Sequence, residues 1–218
     1  MRYLLAPSIL SADFLYLHDQ IEQVEKAGAD YLHIDVMDGM FVNNISFGMP
    51  VLKCINGSTG LKLDVHLMIK EPERYFEVFK ELGADILTVH LETLKNPEEA
   101  LKKISELGMV PSVSINPETD ETKLFPYLSY VKQVLVMTVH PGAGAQTYIE
   151  SCTDKIRNVR AEIERQGLEV DVEVDGGINA GTLETVKNAG ANVFVMGSSI
   201  FNDNPYESAL KFAEMIKK

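Results

Sequence analysis

Residues 26–35, KAGADYLHID, decide the fold of this chain. Gly28 separates an amphipathic segment from an apolar, strand-like run. Glycine adopts the left-handed conformation that ends many helices, so the stretch predicts a helix end, a short loop and a buried strand. The same joint recurs around four further glycines, Gly83, Gly108, Gly167 and Gly190. Repetition of this joint predicts alternating β and α units and a parallel sheet.

The predicted strands lie at Leu4–Ser8, Tyr31–Met37, Lys62–Met68, Ile86–Val89, Val110–Ile115, Gln133–Thr138, Val170–Asp175 and Val193–Met196. Helical periodicity fills the intervals, with one apolar face at Phe14, Leu17, Ile21 and Val24, a second at Tyr75, Phe79 and Leu82 after Pro72, and a third at Ile156, Val159 and Ile163. About eight strands and about eight helices indicate an α/β chain folded as a (β/α)8 TIM barrel. An open doubly wound sheet would carry a glycine fingerprint after its first strand. Residues 6–14, APSILSADF, lack one, and no linker divides the chain, so a single domain over 1–218 is predicted.

The composition excludes several function classes. The 218 residues carry a net charge of -12, which repels nucleic acid and anionic membranes. The apolar N-terminal segment is too short for a signal peptide, and no stretch could span a bilayer. Cys54 and Cys152 are far apart in sequence and fit neither a disulfide framework nor a metal spacing. We therefore expect a cytoplasmic protein with reduced thiols, and the sequence leaves open whether it forms a homo-oligomer.

Polar side chains occur where three predicted strands end. His33 and Asp35 alternate with apolar residues in the second strand, His66 lies in the third, and Asp175 ends the seventh. The carboxyl ends of barrel strands meet at one face, where barrel enzymes have their active sites. Two imidazoles and two carboxylates suit one divalent metal ion, whether Zn, Fe, Co or Mn. The alternative is a salt-bridged polar cluster without an ion.

Glycine-rich loops follow the last three predicted strands, at residues 141–146 (PGAGAQ), 176–179 (GGIN) and 197–199 (GSS). Backbone amides at helix N-termini bind phosphate, and barrels commonly use the loops after strands seven and eight. Asn179 is a candidate N-cap for the helix after strand seven, and GSS is expected to open the following helix. The alternative is that these glycines only form tight turns. His90, at another strand end, contacts either the site or the core.

Six motifs together resemble the ribulose-phosphate 3-epimerase family, in order and over nearly the whole chain. They are APSILSADF (6–14), HIDVMDG (33–39), DVHLMI (64–69), INPET (115–119), MTVHPGAGAQ (137–146) and VEVDGGIN (172–179). The resemblance implies a barrel of the ribulose-phosphate-binding type. It also implies an isomerase of carbohydrate metabolism, in the pentose phosphate pathway, that interconverts D-ribulose 5-phosphate and D-xylulose 5-phosphate.

The resemblance also implies roles for individual residues. One divalent metal ion per chain would be held by His33, Asp35, His66 and Asp175, with Asp35 and Asp175 as the acid/base pair. Ser8 and His66 would contact the phosphorylated ketose. Its phosphate would be held by Gly142, Ala143, Gly144, Ala145, Gly176, Gly177, Gly197 and Ser198. Proton transfer between the two aspartates and C3 would pass through a metal-stabilised enediolate.

The chain departs from the family pattern in two loops. Met40 and Asn43 replace a His and a Pro, and Ala143 and Ala145 replace a Phe and a Gly. These changes leave room for a D-allulose-6-phosphate 3-epimerase, whose sugar is one carbon longer. A non-catalytic sugar-phosphate-binding barrel is a further alternative, although it would not require two carboxylates with two imidazoles. A decarboxylase or aldolase would usually need a strand-end lysine, which the strands of Asp35, His66 and Asp175 lack.

Overall fold

A computed structural model describes residues 2–217. The strands are β1 (Leu4–Pro7), β2 (Tyr31–Met37), β3 (Lys62–Met68), β4 (Ile86–His90), β5 (Val110–Ile115), β6 (Gln133–Met137), β7 (Asp171–Asp175) and β8 (Val193–Met196). The α-helices are α1 (Leu17–Lys26), α2 (Met49–Ile55), α3 (Phe76–Glu81), α4 (Pro97–Glu106), α5 (Cys152–Arg165), α6 (Leu183–Asn188) and α7 (Pro205–Lys217). The predicted strands are confirmed to within a residue at each end.

The strands form one parallel sheet in the order β1-β8-β7-β6-β5-β4-β3-β2. Leu4 pairs with Val193, which joins the first strand to the last. Between β1 and β2 there is one bridge, from Ser8 to His33, and the amide of Asp30, just before β2, donates to the carbonyl of Leu5. The sheet is therefore a nearly closed barrel with a seam between β1 and β2, and the predicted (β/α)8 barrel is confirmed.

The barrel wall has an apolar outer face and a polar inner face. Leu32, Ile34 and Val36 of β2 point outward into the main apolar core, which the helices cover. The alternate residues of the same strand, His33 and Asp35, point into the barrel and are buried. The barrel interior holds further buried polar side chains from the neighbouring strands: Asp64, His66, Thr88, His90, Ser112, Ser114, Gln133 and Glu173. The inside of this barrel is therefore unusually polar, and its groups need partners.

Gly28 shows why the helix-to-strand joints form. It follows α1 with φ of 91°, and its amide donates to the carbonyl of Glu25. The other four joint glycines also have positive φ. This confirms the helix ends that defined the repeat.

Two predicted helices differ from the structure. The expected helix between β5 and β6 is replaced by the 3-10 segments Glu121–Lys123 and Phe125–Tyr130, so residues 2–217 contain seven α-helices. The spacing of apolar residues predicts helical winding but does not distinguish an α-helix from short 3-10 segments. Phe14 was wrongly placed on the buried face of α1. It lies in a separate 3-10 turn capped by Asp13 and is 46% exposed.

No helix within residues 2–217 combines the length and apolarity that crossing a membrane requires. The cytoplasmic location stays a prediction, as does the extent of the domain. Cys54 is exposed and Cys152 is buried, and neither forms a disulfide.

Candidate active site

Four predicted site residues meet at the carboxyl ends of the strands. His33, Asp35, His66 and Asp175 each place a nitrogen or oxygen atom within 4.8 Å of the others. Asp35 Oδ1 is the centre of the cluster, 3.3 Å from His33 Nε2 and 3.1 Å from His66 Nδ1. Asp175 Oδ2 lies 4.0 Å from His66 Nδ1. The register of β2 and β3 explains the contact, because Asp35 and His66 are paired directly.

The second oxygen of Asp35 is held from the first strand. Ser8 Oγ donates a hydrogen bond of 2.6 Å to Asp35 Oδ2. The bridge between Ser8 and His33 places the hydroxyl across the seam from β2. Both oxygens of this buried carboxylate are therefore engaged, and its orientation is fixed.

His33 presents one nitrogen to the cluster and the other to the barrel interior. Its Nδ1 lies 2.7 Å from Asp64 Oδ2 and 3.7 Å from Glu173 Oε1. Gln133 Nε2 donates to the other oxygen of Glu173 at 2.6 Å. Burial and the neighbouring Asp64 raise the pKa of Glu173 well above its ordinary value, which disfavours its ionised form. The contact between His33 Nδ1 and Asp64 orients the imidazole ring of His33 so that its Nε2 faces Asp35.

The two proposed acid/base carboxyls differ in proton affinity. Burial opposes ionisation of Asp35, but the charge of His33, whose Nε2 lies 3.3 Å away, and the contact with His66 outweigh it, so the pKa of Asp35 lies below the ordinary range. Burial, followed by the charge of Asp35, raises the pKa of Asp175 to about 7. At neutral pH one carboxyl is ionised and the other retains its proton for part of the time.

The imidazoles also differ. Without a cation in the cluster, burial opposes the charge on His33, yet Asp35 and Asp64 outweigh it and raise the pKa of His33 well above 6.5. A divalent cation would have to displace the Nε2 proton in order to bind there. Burial is the main reason that the pKa of His66 is lowered, against the effect of Asp35. Burial likewise lowers the pKa of His90 to about 4, although Glu92 acts in the opposite direction.

The donor set fits a divalent cation. His33 Nε2 is buried and has no hydrogen-bond partner among the described residues. This orphaned nitrogen faces the same small space as His66 Nδ1 and the two carboxylates. Two imidazole nitrogens with two carboxylate oxygens are ligands that Zn²⁺, Mn²⁺, Fe²⁺ and Co²⁺ accept.

A pocket opens beside the cluster. Its wall includes Asp35 and Asp175, together with every predicted substrate contact except His66: Ser8, Gly142, Ala143, Gly144, Ala145, Gly176, Gly177, Gly197 and Ser198. Met37, Met68 and Met137 also line it. The structure therefore brings the acid/base candidates and the glycine loops to one cavity.

Gly177 is required where two loops approach closely. Its φ is 68°, and a Cβ there would lie 2.4 Å from the backbone nitrogen of Tyr148. Within residues 2–217, the amides of Gly177, Ser198 and Ser199 donate to no other backbone or side-chain group. These N–H groups are available to an anion in the pocket.

The expected helix starts at these loops are wrong. α6 begins at Leu183 with Thr182 as its N-cap residue, and α7 begins only at Pro205. Asn179 Oδ1 instead accepts from the amide of Gly181, which forms an Asx turn. Gly197 starts a single turn, because its carbonyl accepts from the amides of Ile200 and Phe201. The candidate anion donors are thus turn amides, and the long helices begin farther along the chain.

Residues 4–201 match the sequence profile described as the ribulose-phosphate 3 epimerase family. The chain belongs to the ribulose-phosphate 3-epimerase family. It is 43% identical over 206 residues to ribulose-phosphate 3-epimerase of Bacillus subtilis (strain 168), covering 94% of this chain and 95% of that protein. It is 44% identical to the Synechocystis enzyme of the same name, covering 94% of this chain and 90% of that one. The expected class, an isomerase that epimerises carbohydrates, is confirmed.

Solved structures show the fold in more distant proteins. The crystal structure of 3-keto-L-gulonate-6-phosphate decarboxylase from Vibrio cholerae matches this chain with a TM-score of 0.75 and 13% identity. The match covers 100% of this chain and 98% of that one. A crystal structure titled 3-hexulose-6-phosphate synthase matches with a TM-score of 0.71 and 18% identity, covering 96% of this chain and 99% of that one. At such identities the likeness concerns the barrel architecture alone.

Proposed function

We propose that the chain is a metal-dependent epimerase that inverts C3 of D-ribulose 5-phosphate to give D-xylulose 5-phosphate. One observation carries the proposal: the carboxyls of Asp35 and Asp175 converge with two imidazoles beside a pocket lined by glycine loops. The sequence relationship to named ribulose-phosphate 3-epimerases supports this choice of substrate. The chain acts as one barrel domain over residues 1–218.

His33, Asp35, His66 and Asp175 would hold one divalent ion. When bound, the ion supplies Lewis-acid stabilisation of the negative charge that develops on the C2 and C3 oxygens of the ketose. His33 brings a preoriented nitrogen, because Asp64 holds the opposite side of its ring. Ser8 Oγ keeps the carboxylate plane of Asp35 fixed.

The two aspartates supply the proton transfers. The C3 hydrogen lies next to the C2 ketone, so its removal as a proton leaves an enediolate. Inversion requires removal of the proton at one face and delivery at the other, which two carboxyls on opposite sides achieve. Asp35 has the low pKa of a group that is ionised at pH 7, and Asp175 has the higher pKa of a donor. For this direction Asp35 is the base and Asp175 the acid, and they exchange roles for the reverse.

The substrate phosphate is assigned to the glycine loops. Gly142, Gly177 and Gly197 each line the pocket in a different loop. The turn amides near Gly177 and Ser198 offer N–H donors without intramolecular partners. Such amides bind phosphate without a positive side chain, which suits the acidic character of this chain.

A six-carbon substrate is a second candidate because the loop after β6 is lined by small side chains. Ala143 and Ala145 present only methyl groups to the pocket wall. Ala145 also has a φ of 57°, an uncommon conformation for a residue with a Cβ. D-allulose 6-phosphate, with its phosphate one carbon farther from C3, would use this space.

The test compares kcat/KM for D-ribulose 5-phosphate and D-allulose 6-phosphate. Purified protein would be stripped with a chelator and then reloaded separately with Zn²⁺, Mn²⁺, Fe²⁺ or Co²⁺. We expect epimerisation at C3 only in reloaded protein, with higher kcat/KM for the pentulose phosphate. A higher value for the hexulose phosphate would reassign the substrate, and no conversion of either sugar would refute the proposed activity.

A further inference from the structure

A chain of side-chain contacts leads from the cluster through His66 and His90 to Glu92. His66 Nδ1 faces Asp35, and its other nitrogen, Nε2, lies 2.8 Å from His90 Nε2. The opposite nitrogen of His90, Nδ1, lies 3.4 Å from Glu92 Oε2. The two imidazole rings are completely buried and lie edge to edge, with their planes inclined by 23° and their centroids 5.0 Å apart. Phe41 packs on His90, with its ring centroid 4.7 Å from that of the imidazole.

The contact between the two Nε2 atoms requires one proton to be shared between the rings. At 2.8 Å the nitrogen atoms are within hydrogen-bond distance, so one donates and the other accepts. Two arrangements follow. In the first, His66 Nε2 donates to His90, and His66 Nδ1 carries a free lone pair. In the second, His90 Nε2 donates to His66, and the proton of His66 is on Nδ1, where it would block coordination.

Glu92 favours the first arrangement. Its Oε1 accepts from the amide of Asn116 at 2.8 Å and from the hydroxyl of Thr119. Its Oε2 is the nearest carboxylate oxygen to His90 Nδ1, which is buried and has no standard hydrogen-bond partner in residues 2–217. A carboxylate oxygen attracts an N–H and repels a lone pair, so the proton of His90 belongs on Nδ1. His90 Nε2 is then an acceptor.

Asp35 opposes this preference. Its Oδ1 lies 3.1 Å from His66 Nδ1 and attracts a proton to that nitrogen when no cation is present. Glu92 therefore favours the first arrangement of protons, and Asp35 favours the second. A cation bound to Asp35 weakens the attraction of that carboxylate for the His66 proton. Glu92 then determines which nitrogen of His66 carries the proton.

We propose that His90 and Glu92 are positioning residues that hold the proton of His66 on Nε2 and so keep His66 Nδ1 free to bind the metal ion. This inference rests on the proposed metal site but assigns a role to two residues outside it. Partners of a ligating histidine fix its tautomer and orientation, and their loss typically lowers metal affinity about 10–100-fold.

Glu92→Gln tests the direction of the effect. The amide of Asn116 can only donate, so the carbonyl oxygen of the new side chain must remain there. The carboxamide NH2 then faces His90 Nδ1 and donates to it. His90 would turn its own proton to Nε2 and donate to His66, which moves the proton of His66 to Nδ1. A change of nearly the same shape thus reverses the tautomers.

The experiment measures Zn²⁺ affinity by competition with a chromophoric chelator and the tautomers by 15N NMR of labelled histidines. We expect wild-type protein with Zn²⁺ to show His90 protonated on Nδ1, and Glu92→Gln to bind Zn²⁺ about 10–100-fold more weakly. Glu118→Gln is the matched control, because Glu118 also faces a histidine, His140, at 2.7 Å but on the exposed surface. It should bind Zn²⁺ like the wild type.

The outcomes separate the two proposals. A wild-type chain that does not bind Zn²⁺ would refute the metal site itself. Wild-type binding with unchanged affinity in folded Glu92→Gln would refute the role of Glu92 alone. If Glu92→Gln fails to fold, the wild-type spectrum still decides: a proton on His90 Nε2 in the Zn²⁺-bound protein would overturn the inference.

Discussion

Replacing Asp175 by asparagine should lower activity and raise stability together. Burial and the charge of Asp35 raise the pKa of Asp175 to about 7 from its ordinary 3.8, so the fold disfavours the ionised carboxylate. That difference corresponds to roughly 4 kcal/mol at 1.36 kcal/mol per pH unit. The side chain is 18% exposed, so solvent reduces this cost. We therefore expect Asp175→Asn to stabilise the chelator-treated protein by about 2–4 kcal/mol above pH 7.

The pH dependence follows from the direction of the pKa change. Between pH values of about 4 and 7 the folded state binds more protons than the unfolded state, so wild-type stability falls as pH rises through this range. The carboxamide of the variant has no proton to lose. The difference in unfolding free energy between variant and wild type should therefore widen from pH 5 to pH 8 and stay constant at higher pH.

The assay is urea unfolding in the presence of chelator at several pH values, with Asp203→Asn as an exposed Asp-to-Asn control. The same preparations, reloaded with metal, are assayed for epimerisation in D₂O. Loss of one positioned acid should cost on the order of 10²–10⁴ in rate. Wild-type product should carry deuterium at C3 and at no other carbon.

Two results would refute the reasoning. A near-native rate for Asp175→Asn, or product that keeps its original C3 hydrogen, would exclude the two-carboxyl mechanism. A stability difference that does not change between pH 5 and pH 8 would show that the fold does not oppose ionisation of Asp175. A stabilised but inactive variant would support both parts, because unfolding could not explain the lost activity.

Three further changes test the metal site, the phosphate site and the close approach of two loops at Gly177. His66→Ala should lower both bound metal, measured by elemental analysis, and rate; full activity in fully metal-free protein would contradict the site. Gly197→Asp should raise KM strongly while metal stays bound, since a carboxylate repels phosphate; an unchanged KM would place the phosphate elsewhere. Gly177→Ala should lower the free energy of unfolding by about 1–3 kcal/mol, because its Cβ would meet Tyr148 at 2.4 Å; unchanged urea unfolding would show that the loop adapts.

The strands could be predicted because parallel barrel strands are buried on both faces and appear as short apolar runs. The joint glycines indicated where the helices end, because the chain needs a positive φ there and glycine adopts it readily, as at Gly28. The connection between β5 and β6 was less predictable. Its apolar residues Phe125 and Leu128 fit a helical period, but that pattern does not distinguish an α-helix from the 3-10 helix that forms.

The site was predictable only in part. Alternation along β2 and β3 placed His33, Asp35 and His66 on one face, and the barrel placed Asp175 with them. Asn179 was wrongly expected to cap a helix because an N-cap and an Asx turn share the same residue preference. The contact between His66 and His90 depends on the register of β3 and β4, in which His66 pairs with Thr88. That register cannot be predicted from the sequence of either strand alone.

The seam between β1 and β2 has a consequence during synthesis. Strands β3 to β8 each pair with the strand made just before them, so their ladders can form as the chain leaves the ribosome. β1 is made first, but its main partner is β8, the last strand made, as in the pair of Leu4 and Val193. His33, Asp35 and His66 therefore come together early. Ser8 reaches Asp35, and Asp175 gains its final surroundings, only when the last strand closes the barrel.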